Sequence, residues 1–195
     1  MHSEIILAGF GGQGVLLIGK LLAYAGMKAG QEVTWMPAYG PEMRGGTCNC
    51  TVVLSDHKIG APVTKFPHGL IVLNLPSLDK FEDAVRPGGV VVVNTSLINR
   101  LPRRTDLAVV ALACNELAKE AGTAKAANMV ALGAFLGASQ LVDLELVKGA
   151  LEETFAARPK LVPINLVALS KGFEIGMATP RPTPPTEELT PWPRN

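Results

Sequence analysis

Residues 4–30, EIILAGFGGQGVLLIGKLLAYAGMKAG, constrain the fold more than any other stretch of the chain. EIILAGF reads as a buried strand, and Val15, Ile18, Leu22 and Ala25 recur at helical spacing behind it. Between the two, Gly9, Gly11, Gly12 and Gly14 crowd into GFGGQG, where the first, second and last glycines fit G-x-G-x-x-G. Strand, glycine turn and helix in that order predict a β–α unit. Glycine permits positive φ and close backbone approach, and a helix N-terminus offers free N–H groups to an anion. A tight turn that binds nothing has the same sequence, so both readings stay open on the motif alone.

The rest of the chain repeats the alternation. EVTWMPAY, TCNCTVVLS, GLIVLNL, GVVVVN and DLAVVALA read as strands. TCNCTVVLS alternates, with Thr47, Asn49, Thr51, Val53 and Ser55 on one face and Cys48, Cys50, Val52 and Leu54 on the other, which predicts a strand with one apolar side. LDKFEDAV, with Ser77 as a candidate N-cap, and NELAKEAG read as short helices, the second ended by Gly122. AKAANMVALGAFLGAS, DLELVKGALEETFAA and LVPINLVALSKGFEIGM complete a helical last third. Continuous β-branched runs separated by helices predict an α/β fold: a three-layer α/β/α arrangement around a mostly parallel, mixed sheet, with a Rossmann-like N-terminal βαβ. The stretch from Thr47 to Val63 predicts at least one antiparallel element. A chain of 195 residues suits one domain, here residues 1–178, followed by a proline-rich extended or disordered tail over 179–195 with Trp192 as its large apolar anchor.

Composition excludes several classes. A formal net charge of +1 gives no electrostatic case for nucleic acid or an anionic membrane. The apolar segment AANMVALGAFLGAS falls short of the roughly 20 residues a span needs, and its Gly133 and Gly137 predict close helix packing instead. Three cysteines form no even disulfide framework, and the sequence opens without a secretory signal, so a reduced, cytoplasmic protein is expected. Three thiols are also too few for an iron–sulfur cluster; Cys48, Cys50 and Cys114 read as small buried hydrophobes. His57, His68 and the pair Arg103-Arg104 read as solvated connector residues, and no metal-ligand spacing or nucleophile–base motif is present.

A dinucleotide site needs an acidic residue at the end of the second strand, about 20 residues past the glycines. Trp35, Met36 and Pro37 stand there, and Glu32 lies at the wrong end, which argues against an NAD(P) site. The loop after that strand, Tyr39, Gly40, Pro41, Glu42, Met43, Arg44, Gly45 and Gly46, joins rigid and loose positions to a charged pair. It reads either as an internally paired surface loop or as a docking or substrate loop on the ligand-binding edge of the sheet.

Taken together, GFGGQGV, PAYGPEMRGGTCNCTVVLSD, LNLPSLDKF and AANMVALGA resemble the γ subunit of 2-oxoacid:ferredoxin oxidoreductases, from about Glu4 to about Met177. YGPEMRGG looks more like the 2-oxoglutarate branch than the pyruvate branch, with a branched-chain 2-oxoacid enzyme as the alternative. Cys48 departs from the alanine that related chains carry there. The resemblance implies a subunit, inactive alone, of an enzyme that converts a 2-oxoacid, coenzyme A and oxidised ferredoxin to acyl-CoA, carbon dioxide and reduced ferredoxin. It implies thiamine diphosphate, Mg and iron–sulfur clusters on partner α, β and δ subunits, and none held by this chain alone. It further implies that Gly9, Gly11, Gly12, Gln13 and Gly14 face the coenzyme A phosphates or the α/β interface. The Tyr39–Gly46 loop would lie near the active-site entrance, with Arg44 as an anion or cross-subunit partner. No residue receives a proton-transfer role. Two rival readings remain: a stand-alone nucleotide- or CoA-binding module, and a purely structural subunit. An isolated subunit with an uncovered apolar patch is expected to self-associate.

Overall fold

The computed structural model describes residues 1–39 and 47–180. The β-branched runs become strands β1 (His2–Phe10), β2 (Glu32–Tyr39), β3 (Thr47–Ser55), β4 (Gly69–Val72), β5 (Val90–Asn94) and β6 (Ala108–Leu112). The helices are α1 (Val15–Lys28), α2 (Leu75–Phe81), α3 (Cys114–Glu120), α4 (Ala127–Ser139), α5 (Leu144–Thr154) and α6 (Val162–Met177). The strands form one sheet in the order β2-β3-β1-β4-β5-β6. β1, β4, β5 and β6 run parallel, whereas β3 is antiparallel to both its neighbours, β1 and β2. β1 and β2 therefore point the same way, as in a βαβ unit, with β3 inserted between them.

Side chains divide by strand parity. Ile5, Leu7, Val52, Leu54, Ile71, Val92 and Val110 join α1, α4, α5 and α6 in the larger core. Ile6, Ala8, Leu70, Val72, Val91 and Val93 pack with Leu78 of α2 on the opposite face. This is the expected three-layer sandwich. β3 differs from a one-sided strand. Its alternation suggested a single apolar side, yet Thr51, Val53 and Ser55 are buried as well. The cause is position: β3 is internal to the sheet.

Caps follow local chemistry. Gly30 adopts φ +78° just past α1, and the Gln31 N–H returns to Gly26 O at 3.1 Å. α2 starts earlier than expected. Asn74, not Ser77, is its N-cap, with Asn74 Oδ1 accepting from the Ser77 N–H at 2.9 Å. Pro76 is tolerated there because the first turn needs no N–H.

α4 and α6 pack through glycine. A methyl group on Gly133 would overlap the Leu169 carbonyl oxygen, and one on Gly137 the Phe173 carbonyl oxygen. Reciprocally, Gly172 meets Val130 O and Gly176 meets Ala134 O. Both pairs rise in the same direction along the two helices, which therefore run parallel with backbones in contact.

Two connector readings are corrected. His68 is half-buried and its Nδ1 accepts the Glu4 N–H at 3.2 Å. Arg104 donates to Asp106 Oδ1 and Oδ2 at 2.9 and 2.6 Å and also reaches the Val85 carbonyl. Beside it, Arg100 grips buried Glu82 with two bonds of 2.7 and 3.0 Å, and the Arg103 N–H adds a third at 3.3 Å. Both arginines tie loops to the α2 end of the fold.

Gly133→Ala should cost on the order of 3 kcal/mol because two backbones must separate. Gly149→Ala, where a Cβ meets only Lys28 Nζ at 3.7 Å, should be neutral or stabilise by about 0.5 kcal/mol through helix propensity. Urea midpoints compare the two. The Arg100 contacts hold the Glu82 carboxyl below its usual range. Its contribution is complete above the unfolded value, about 4.3, and is lost as pH falls through the lower native value. Glu82→Gln should therefore flatten the acid limb of a stability–pH curve, measured by urea titration from pH 7 downward.

Candidate functional site

The glycine turn sits at the carboxyl edge of β1. Gly12 and Gly14 take φ +97° and +76°, and Gly14 is the N-cap of α1. α1 has no side-chain cap and no acidic residue in its first turn. Its positive dipole end is therefore uncompensated by its own sequence. Gln13 fastens the turn. Its Oε1 accepts the Phe10 N–H at 2.6 Å, and its Nε2 donates to Leu73 O at 3.1 Å. The turn is thus tied to the end of β4, and among the described residues one N–H of the Gln13 carboxamide has no acceptor.

Asn128, in the first turn of α4, closes the other side. Its Nδ2 donates to Gly14 O at 3.3 Å, and a Cβ on Gly14 would collide with that amide. Asn94, at the end of β5, accepts the Cys114 and Ser96 N–H groups at 3.1 and 3.2 Å and donates to Asn115 Oδ1 at 3.2 Å. It caps α3 from outside, since Ala113 cannot. Ser96 assists by accepting the Asn115 N–H at 3.0 Å.

These residues enclose a cavity of about 490 Å³, walled by Gly12, Gln13, Leu73, Asn94, Leu97, Asn115, Lys125 and Asn128. It opens where β1, β4 and β5 end, the edge at which open α/β sheets take ligands. Asn94 and Asn128 are 1% and 5% exposed. Lys125 is exposed, and among the described residues no carboxylate forms an ion pair with its ammonium group. Four carboxamides (Gln13, Asn94, Asn115 and Asn128), one cation and the glycine turn that leads into an uncapped helix make a site that can donate hydrogen bonds to an anionic or amide-bearing ligand. Of the predicted residues, Gly12 and Gln13 line this cavity directly. Gly9 packs beneath, where a Cβ would strike Gln13 Oε1.

The four other polar wall residues, Asn94, Asn115, Lys125 and Asn128, are not singled out by the sequence reading. Asn94 ends a run of four valines, and Asn128 interrupts an otherwise apolar helix; those are the signals that could have found them. The loop residues Gly40 to Gly46 lie outside the described residues, as does the Tyr39 side chain. Their anchors are described: Tyr39 pairs with Cys48, and Thr47 with Phe10, so the loop leaves and rejoins the sheet beside the glycine turn. The NAD(P) argument holds in space. Glu32 pairs with Ser55 at the far edge, and β3 occupies the place beside β1 that β2 takes in a dinucleotide fold.

The three thiols differ in burial: Cys48, expected to be a buried hydrophobe, is only half-buried. Cys50 and Cys114 are buried, and burial pushes both up to about 12. Cys50 packs against Val15 O and Gly19. Among the described residues no group of three His, Cys, Asp or Glu could hold a metal ion, and no helix is long and apolar enough to cross a membrane.

Residues 4–175 match the family described as pyruvate ferredoxin/flavodoxin oxidoreductase. The chain belongs to that family. It is 42% identical over 173 residues to the ketoisovalerate oxidoreductase subunit VorA of Methanothermobacter marburgensis, covering 88% of this chain and 36% of the relative. It therefore spans about a third of that relative's length. It is 34% identical to the 2-oxoglutarate synthase subunit KorC of Methanocaldococcus jannaschii, covering 90% of this chain and 94% of the relative. Among solved structures, the γ subunit of a keto/oxoacid ferredoxin oxidoreductase from Geobacter sulfurreducens superposes with a TM-score of 0.76 at 30% identity, covering 91% of this chain and 99% of that one. A 2-oxoglutarate:ferredoxin oxidoreductase from Magnetococcus marinus, with 2-oxoglutarate, coenzyme A and succinyl-CoA bound, superposes with a TM-score of 0.83 at 25% identity, covering 94% of this chain and 32% of that one. The family and the γ-subunit likeness inferred from the four sequence segments are thus correct.

Gly14→Ala should cost on the order of 2 kcal/mol, because a left-handed backbone and the Asn128 amide both oppose it. Gly12→Ala, with open space around its Cβ, should lose only the backbone part, about 1 kcal/mol. Thermal unfolding of the two variants separates the terms.

Proposed function

We propose that this chain is the γ-type component of a thiamine-diphosphate-dependent 2-oxoacid:ferredoxin oxidoreductase and that its carboxyl-edge cavity holds the phosphate-bearing part of coenzyme A. The observation that carries the second half is the convergence of Gly12 and Gln13 from the turn that leads into the uncapped α1, the Lys125 cation and the buried Asn94 and Asn128 amides on one cavity. Backbone N–H groups and Lys125 neutralise phosphate charge, while the carboxamides hydrogen-bond the ligand's polar atoms. Gly9, Gly11, Gly12, Gln13 and Gly14 shape and fasten the turn on which this depends.

The chain's task in the reaction is binding and orientation. Held at its anionic end, coenzyme A presents its thiol to chemistry on partner α, β and δ subunits. There thiamine diphosphate supplies carbanion stabilisation and clusters pass electrons to ferredoxin. Tyr39 to Gly46, with Arg44, serve as the loop at the entrance to that shared site. On this reading residues 1–178 form the γ domain and 179–195 an extension. The assembly works in the cytoplasm, and the chain alone is inactive and prone to self-association.

The YGPEMRGG loop favours 2-oxoglutarate as the oxoacid, and the KorC likeness over nearly the whole relative supports it. Ketoisovalerate is the second reading, supported by the higher identity to VorA. A tagged chain purified anaerobically from its host should bring down large thiamine- and cluster-bearing chains, with 2-oxoacid- and CoA-dependent reduction of a viologen dye. A panel of 2-oxoacids then chooses between the two substrates. In that complex Lys125→Ala should raise the KM for coenzyme A about tenfold with kcat unchanged, since the contact is uniform binding. An unchanged KM would remove coenzyme A from this cavity. A chain recovered alone that still bound coenzyme A would make it a stand-alone module.

A further inference from the structure

The carboxamide oxygens on the wall of the carboxyl-edge cavity are all occupied, and the carboxamide nitrogens are not. Gln13 Oε1 takes the Phe10 N–H at 2.6 Å, and Asn94 Oδ1 takes the Ser96 and Cys114 N–H groups at 3.2 and 3.1 Å. Asn115 Oδ1 accepts from Asn94 Nδ2 at 3.2 Å, and Asn128 Oδ1 accepts the Met129 N–H at 3.0 Å. Each carboxamide nitrogen carries two N–H donors. Among the described residues, those of Gln13, Asn94 and Asn128 have one acceptor each: Leu73 O, Asn115 Oδ1 and Gly14 O. Asn115 Nδ2 has none among them. Lys125 adds an ammonium group, which donates and never accepts.

A wall that only donates selects a ligand group that only accepts. The parts of coenzyme A differ on this point. Its adenine carries an exocyclic amino group, and its pantetheine arm carries amide N–H groups and a hydroxyl, each of which needs an acceptor. A fully ionised phosphate offers oxygen acceptors alone. The two phosphates of the diphosphate are linked on both sides, whereas the 3′-phosphate ends a branch and keeps three free oxygens. The donors arrive from the β1–α1 turn, the end of β5, the start of α3 and the approach to α4. Convergence from separate elements suits a group that ends in the cavity, with no second linker to lead out through the wall. Half-exposed Leu97 forms an apolar lip on which the adjoining adenosine can rest.

Resting on the coenzyme A reading above, we infer that this cavity holds the 3′-phosphate of coenzyme A as its dianion and thereby tells coenzyme A from its dephospho form. Lys125 neutralises the charge, and the spare N–H groups of Asn94, Asn115, Asn128 and Gln13 bond the oxygens. A proton on the phosphate would set an O–H donor against a wall of donors. The second ionisation of a phosphomonoester lies at about 6. The glycine turn, the end of β4 and the first turn of α4 bring no titratable side chain to the wall, and among the described wall residues there is no carboxylate or histidine. From α3, Glu116 turns to the Ser96 hydroxyl, whose hydrogen bond holds its carboxyl below the usual range. A change in discrimination near pH 6 therefore belongs to the ligand.

The test compares KM for coenzyme A and for dephospho-CoA in the anaerobically purified complex, from about pH 8 to about pH 5.5. At the upper end dephospho-CoA should show a KM about tenfold higher or more. As pH falls, the KM for coenzyme A should rise toward it; titrating groups on partner subunits act on both ligands and cancel in the ratio. Lys125→Ala should raise the KM for coenzyme A about tenfold and barely move that for dephospho-CoA, and Lys125→Arg should restore the discrimination. Equal KM values in the wild type, or a ratio flat across the pH range, would overturn the inference. So would a Lys125→Ala variant in which both KM values rise together, a result that puts the diphosphate in the cavity and leaves coenzyme A bound there. A Lys125→Ala variant that moves neither KM removes coenzyme A from the cavity, and this inference with it.

Discussion

α4 is the part on which both ends of the molecule depend. From Asn128 to Ala138 every residue is buried, so no polar face orients the helix and amphipathicity cannot set its rotation. Backbone contact does. Gly133 and Gly137 admit α6 on one side, and Gly172 and Gly176 return the fit. Steric exclusion at that distance fixes rotation and register together, because any other side chain at those positions forces the helices apart. With α4 fixed, its first turn delivers Asn128 to the Gly14 carbonyl, and two turns later Phe135 reaches Gly69. The cavity at the carboxyl edge and the Phe135–Gly69 contact at the amino edge are thus the two ends of one helix, set by four glycines in the middle.

The layered α/β class was legible in the sequence because the β-branched runs and the 3.6-residue spacing are local signals. The glycine-mediated packing of α4 was legible too, since small residues four apart on an apolar helix have few other uses. The place of β3 was not. Its alternating pattern implied one wet face, whereas its position between β1 and β2 buries Thr51, Val53 and Ser55. Which strands neighbour each other is a non-local fact that strand-by-strand reading does not contain. The start of α2 failed for a smaller reason. Asn74 ends a strand and caps a helix at once, and Ser77 three residues on has equally good capping chemistry.

At the site the division is similar. The glycines stood out because positive φ leaves few alternatives to glycine. Asn94, Asn115, Lys125 and Asn128 come from three separate segments and meet only in space. Arg104 and His68 had looked solvated because connectors are usually wet. Their partners, Asp106 and the Glu4 backbone, become visible only once the sheet edges are assembled.

The insertion of β3 also decides what the glycine turn can recognise. In a dinucleotide fold the turn opens toward β2, whose terminal acid holds a ribose. Here that flank is filled by a strand whose first residues, Thr47 and Cys48, pair with Phe10 and Gly9. The turn can open only the other way, toward β4, β5 and the start of α4. On that side stand carboxamides and a lysine and, among the described wall residues, no carboxylate. A ribose diol is best held by an acid, which accepts two hydrogen bonds at once; a phosphate is repelled by one. One strand changing its neighbours therefore converts the same glycine motif from a ribose-reading site to one whose chemistry favours phosphate and amide groups.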